Sequence, residues 1–205
     1  MVPKKGVGYA QNPVQRSHYE LRPARLGRAT HSLIPYLAAD HACYAFQVAE
    51  YAKHFRCISV DLRGAGETDK PEGPYSTELL ADDVAAFLQA MGIAQAHVSG
   101  LSLGAATGMW LAAKYPNKIK SLSLHSGWTK TDAFLKTVVE GWQVMAKALG
   151  SVAETVIRGI FPWCFTPELY AGKPDYIQIS DGFCPKPAGA AFARLHSAVE
   201  CCDRP

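Results

Sequence analysis

The chain has 205 residues, 48% of them hydrophobic and 19% charged, a balance that fits one globular domain and excludes disordered, collagen-like and membrane-embedded classes. Its formal net charge is only +3, so the overall balance gives no reason to expect nucleic acid or an anionic membrane as partner. The basic excess is local: Lys4, Lys5, Arg16, Arg22, Arg25 and Arg28 stand against Glu20 alone in the first 30 residues.

No apolar run approaches the roughly 20 residues that span a bilayer, and Met1 to Ala10 lacks the apolar stretch of a secretory signal, so a cytoplasmic protein is expected. Six cysteines (Cys43, Cys57, Cys164, Cys184, Cys201, Cys202) show no metal-ligand spacing and read as reduced thiols. Adjacent Cys201 and Cys202 have only His196 close by. No metal and no cofactor are expected.

Residues 1–30 are poorly patterned, with Pro3, Pro13 and Pro23 and no alternation. From there short apolar runs alternate with helical patterns, the signature of a parallel sheet with crossover helices. Ser32 to Leu37 is expected as a buried strand and His41 to Phe55 as a helix. Cys57 to Val60 makes the next strand and runs into the glycine-punctuated loop Asp61 to Thr68. Ser76 opens a helix whose apolar stripe is Leu79, Leu80, Val84, Phe87 and Leu88, and Gly92 closes it. Ala96 to Ser99 forms a third strand, Ala105 to Tyr115 a third helix ended by Pro116, and Ile119 to Leu124 a fourth strand.

Beyond Trp128 the pattern changes. Thr131 to Leu149 and Val152 to Ile160 read as consecutive helices broken by Gly150, and together they suggest an inserted lid over 129–175. From about residue 176 to 205 periodicity is lost among Gly182, Pro185, Pro187 and Gly189.

Gly100-Leu101-Ser102-Leu103-Gly104 matches G-x-S-x-G, a weak pattern alone. Here it lies between an apolar strand and an Ala-rich helix, the strand-turn-helix placement that a nucleophile elbow needs. Glycines flank such a serine because a sharp, strained turn leaves no room for neighbouring side chains. The helix N-terminus and the Leu103 N–H would then stabilise an oxyanion formed when Ser102 attacks an acyl carbon.

With that elbow, the Leu33-Ile34-Pro35 strand end, the Asp61-Leu62-Arg63-Gly64-Ala65-Gly66-Glu67-Thr68 loop and the helices after the fourth strand, the chain resembles the α/β-hydrolase family. The likeness runs from about Leu33 to Tyr176 and points to the enol-lactonase, esterase and C–C hydrolase subgroup. It implies an α/β-hydrolase core over 31–128, a mostly parallel sheet with flanking helices, and Ser102 as nucleophile. It also implies a second oxyanion N–H from Leu37. Tyr36 stands where the family has glycine, which would strain the chain if that position takes a positive φ. Asp61, Arg63 and Gly64 match a structural loop of the family.

The family draws its acid and histidine from later strands, and those strands are not recognisable here, so the chain reads as truncated at its C-terminus with its last core strands missing. Only His125 and His196 follow Ser102 in sequence, and neither matches a family position; Asp132, Asp175 and Asp181 are the acids considered. The triad acid and base are therefore unassigned. The resemblance implies a serine hydrolase of small hydrophobic carboxylic esters or lactones, needing no cofactor. The alternative is a catalytically inactive, truncated member or a binding protein using the same pocket. An acyltransferase or a cofactor-free peroxidase would use the same elbow. Lost terminal strands would expose a sheet edge, from which self-association is expected.

Overall fold

The protein's structure, a computed structural model, describes residues 29–172. Strands β1 (Thr30–Ile34), β2 (Arg56–Ser59), β3 (Ala96–Leu101) and β4 (Ile119–His125) form one sheet in the order β2-β1-β3-β4. Every neighbouring pair is parallel. Helices α1 (Ala45–Tyr51), α2 (Thr77–Ala90) and α3 (Leu103–Lys114) make the crossovers that parallel strands require.

Local chemistry explains the boundaries. The Ser76 hydroxyl accepts the Leu79 N–H at 3.0 Å and caps α2, while Gly92, at φ +67°, turns the chain out of it. Leu80, Val84, Phe87 and Leu88 form the buried stripe of α2 and pack with Ile58, Val98 and Leu111. Each contributes about 1.5–3 kcal/mol by burial. On α3 the residues from Leu103 to Gly108 are all buried. Leu122 and Leu124 of β4 lie against Gly108, where a side chain would crowd them.

After β4 come α4 (Ala133–Leu149), α5 (Val152–Thr155), a single π-helical turn (Val156–Ile160), α6 (Phe161–Cys164) and α7 (Pro167–Gly172). Asp132 caps α4 by accepting the Leu135 N–H at 2.8 Å, and Gly150 ends it at φ +62°. Val152, Val156 and Phe161 centre a second apolar cluster. Leu37 packs against both this cluster and the main core. No helix among the described residues is long and apolar enough to cross a membrane.

Three expected elements differ. The first strand ends at Ile34 rather than Leu37, because Pro35 follows and a turn closes from Tyr36 O to Ala39 N at 3.2 Å. The helix expected over His41 to Phe55 is a short 3₁₀ turn, His41–Tyr44, followed by α1 alone. Val152 to Ile160 divides into α5 and the π-helical turn. The N-terminal 28 residues and the tail from 173, with Asp175, Asp181, His196, Cys184, Cys201 and Cys202, lie outside the described residues.

Candidate active site

β3 ends at Leu101 and α3 begins at Leu103, so Ser102 is the single residue joining strand to helix. Its backbone sits at φ +54°, ψ −114°, a strained conformation for any residue with a side chain. Its hydroxyl makes no capping bond to α3. The turn is held through the main chain instead: the Ser102 N–H donates to His125 O at 2.9 Å, and its carbonyl accepts from Ala105 N and Ala106 N at 2.9 and 3.1 Å.

Both glycines of the motif are required by space. A Cβ on Gly100 would run into the Gly104 carbonyl, and one on Gly104 into the Ile34 carbonyl of β1. The elbow therefore lies directly against the end of β1, from which the Leu37 loop departs. A positive φ does occur in that loop, but at Ala38 (φ +63°) and not at Tyr36. Tyr36 thus escapes that strain, because the tight turn from Tyr36 to Ala39 needs its third residue left-handed. Leu103 is buried at the first position of α3.

Beside this loop, the Asp61 carboxylate is fully buried. It accepts the His41 backbone N–H at 2.6 Å, the Glu67 N–H at 3.0 Å, and stands 2.9 Å from His41 Nδ1. Asp61 thus ties the loop after β2 to the 3₁₀ turn after β1. Arg63 donates twice to Asp83 of α2, each bond 2.7 Å, and that pairing holds its guanidinium above its ordinary pKa. A cavity of about 20 Å³, the size of one water, lies between this loop and α2, with Asp61, Arg63, Asp83 and Phe87 in its wall. These residues organise the chain. Burial pushes the nearby Asp40 carboxyl up, although the Ala42 N–H opposes this.

Asp132 spends its carboxylate on the α4 cap, and His125 is exposed at the end of β4 with its carbonyl engaged by Ser102. Among the described residues no histidine is hydrogen-bonded to the Ser102 hydroxyl. Also among them, no group of three or more histidines, cysteines or acids is placed to hold a metal ion. The His41–Asp61 pairing had no signal in the sequence, since 20 residues separate the two.

A sequence profile of the α/β hydrolase fold matches residues 27–154. The chain belongs to the α/β-hydrolase family. Among curated relatives it is 35% identical over 115 residues to a putative carbamate hydrolase RutD of Azorhizobium caulinodans, covering 56% of this chain and 43% of the relative. It is 29% identical over 147 residues to 3-oxoadipate enol-lactonase 2 of Acinetobacter baylyi, covering 69% of this chain and 52% of that one. This α/β-hydrolase chain therefore spans about half the length of the curated relatives it matches. Among solved structures, the enol-lactonase from Burkholderia xenovorans superposes with a TM-score of 0.82 at 27% identity, covering 94% of this chain and 73% of that one. The parallel sheet flanked by helices is accordingly that of the α/β-hydrolase fold.

Proposed function

We propose that this α/β hydrolase cleaves a small hydrophobic carboxylic ester or lactone, with Ser102 as the nucleophile. The observation that carries the reading is the conformation of Ser102, a non-glycine residue held at φ +54° at the N-terminus of α3 and free of any capping role. Such strain persists where the surroundings over-determine it, and Gly100, Gly104 and the His125 carbonyl do so here.

In the proposed reaction Ser102 Oγ attacks the acyl carbon and forms a tetrahedral oxyanion. The Leu103 N–H, at the positive end of α3, and the Leu37 N–H receive that charge. Ring opening of a lactone or loss of an alcohol, its oxygen taking up the proton that the Ser102 hydroxyl gives, leaves an acyl-serine, which water then hydrolyses. The helical segment from α4 to α7 acts as a lid whose apolar cluster around Val152, Val156 and Phe161 rests on Leu37 and Ala38. Relatives named as an enol-lactonase and a carbamate hydrolase support a small carbonyl substrate. The reading includes no cofactor, and the free thiols Cys57 and Cys164 agree with action in the reducing cytoplasm.

The experiment is labelling of the purified chain with a fluorophosphonate probe, in parallel with Ser102→Ala and with heat-denatured protein. Labelling confined to the native wild type supports an activated Ser102. A folded wild type that does not label replaces this reading with a non-catalytic member that binds without turnover.

A further inference from the structure

Buried polar atoms without a hydrogen-bond partner are rare in a folded chain, and each needs an explanation. Two of them stand three positions apart in the link from β4 to α4: the indole Nε1 of Trp128 and the hydroxyl of Thr131 have no partner among the described residues. Thr131 is only 7% exposed. Connecting segments ordinarily run over the surface, where water satisfies such groups. Burying an indole N–H and a hydroxyl unpaired costs stability instead.

The link is fastened to the elbow. It starts where the His125 carbonyl accepts the Ser102 N–H at 2.9 Å. Ser126 then takes φ +51°, a left-handed strain in a residue with a side chain. Gly127 crosses the first turn of α3 so closely that a side chain there would strike the Ala105 Cβ. That path lays Trp128 on the main core, against which Leu37 also packs and in which Leu103 is buried. Thr131 follows, directly before the Asp132 carboxylate that caps α4. The two orphaned groups therefore belong to a segment strained into place beside the nucleophile.

Their chemistry defines what they take. An indole N–H only donates, and a hydroxyl donates or accepts. Both groups are neutral, and a buried anion would need a counter-charge that neither supplies. The matching group is an uncharged carbonyl oxygen.

On the reading of Ser102 as nucleophile, we propose that Trp128 Nε1 and the Thr131 hydroxyl form a subsite for a second, uncharged carbonyl of the substrate. The ester or lactone cleaved then carries a keto, ester or amide oxygen away from the scissile bond. A substrate without that oxygen leaves both groups unpaired and is disfavoured.

Two measurements test the subsite separately from the nucleophile. The first uses isotope-labelled Ser102→Ala, in which the Trp128 indole N–H resonance is assigned by its loss on adding Trp128→Phe. Methyl 5-oxohexanoate is expected to move this resonance downfield and saturably, whereas methyl hexanoate leaves it in place. The second compares kcat/KM of the wild type for the p-nitrophenyl esters of the same two acids, each divided by its rate of alkaline hydrolysis. The oxo ester is expected to be preferred about tenfold, and Thr131→Val to cut that preference about fivefold. Thr131→Val should also hold or raise the melting temperature, since it removes an unpaired buried hydroxyl; a threonine with a merely structural role would lower it. An indole resonance indifferent to both esters, or moved equally by both, overturns the subsite and leaves a buried water as the partner of these groups. A resonance that answers to the oxo ester while the wild type hydrolyses neither ester and does not label with fluorophosphonate keeps the subsite and overturns the nucleophile.

Discussion

The backbone N–H of Ser102 donates to the carbonyl of His125 at 2.9 Å, so the tip of β3 is fastened to the tip of β4 where the strand turns into α3. Leu101 and His125 are register partners, and this bond is the last rung of their ladder. The elbow is thereby held by its neighbours on both sides: β4 through this bond, and β1 through the close approach of Gly104 to the Ile34 carbonyl.

From that confinement follows a prediction for Gly104→Ala. The added methyl meets backbone of β1, which has no flexible end to yield, and the elbow must shift. A loss of about 2–4 kcal/mol in urea denaturation is expected, the upper range of overpacking. A loss below about 0.5 kcal/mol would show that the elbow does not press on β1.

The strain at positive φ has a measurable sign. Ser102→Gly and Ala38→Gly each remove a β-carbon from a left-handed position, φ +54° and +63°. Each is expected to raise stability by up to about 1 kcal/mol, net of the extra freedom glycine gains in the unfolded chain. Ser102→Gly should in addition abolish fluorophosphonate labelling, whereas Ala38→Gly should only slow it, by loosening the turn that carries the Leu37 N–H. Denaturation midpoints and labelling rates measured on the same samples separate the two effects.

Asp61 predicts a larger cost. Its buried carboxylate serves two backbone N–H groups and His41 Nδ1. Asp61→Asn turns one acceptor into a donor facing donors and should destabilise the fold by about 3 kcal/mol. Chemical denaturation checks it, and a near-neutral result would show that the loop after β2 is held chiefly by Thr68, whose hydroxyl donates to the Asp61 carbonyl at 2.8 Å.

Acid sensitivity should come from His31. On one face of the sheet its ring stacks on Tyr51 at 5.0 Å, meets Phe55 edge-on at 5.4 Å and lies 6.3 Å from the His97 ring. Its Nε2 is bonded to the Ser99 hydroxyl at 2.8 Å, and its Nδ1 is a buried atom without a hydrogen-bond partner among the described residues. Burial, and then the neighbouring His97, hold the pKa of His31 below the ordinary 6.5. The unfolded chain therefore takes up this proton at a higher pH than the folded one. The contribution is intact above about pH 6.5 and is lost as pH falls from there toward the depressed folded value. Melting temperature should drop across that window in the wild type and less in His31→Phe. Parallel profiles for the two proteins would assign the acid sensitivity elsewhere.

Much of the fold was legible because its signals are local. Ser76 and Gly92 mark the ends of α2 by capping chemistry that spans three or four residues. The strand-turn-helix setting of Ser102 needs only the apolar run before it and the small residues after it. Family motifs added the succession of elements around the elbow along the chain, since the loop at Asp61 and the elbow occur in a known sequence of elements.

What depended on contacts between distant segments was not legible. Tyr36 would have been strained had its position taken a positive φ, but the turn geometry after Pro35 puts the positive φ on Ala38. The fully buried Asp61 carboxylate finds His41 only because β1 and β2 are neighbours in the sheet. His31 and His97 look like unrelated histidines until parallel register sets them side by side, and Lys120 becomes a bulge only through the pairing of β4 with β3. Sequence by itself determined the four strands, the α2 and α3 helices and which serine sits on the elbow, because hydrophobic period, caps and glycine spacing act over a few residues. Only the tertiary structure decided which side chains share a face and which backbone positions bear the strain, because those are set by register and packing between segments far apart in the chain.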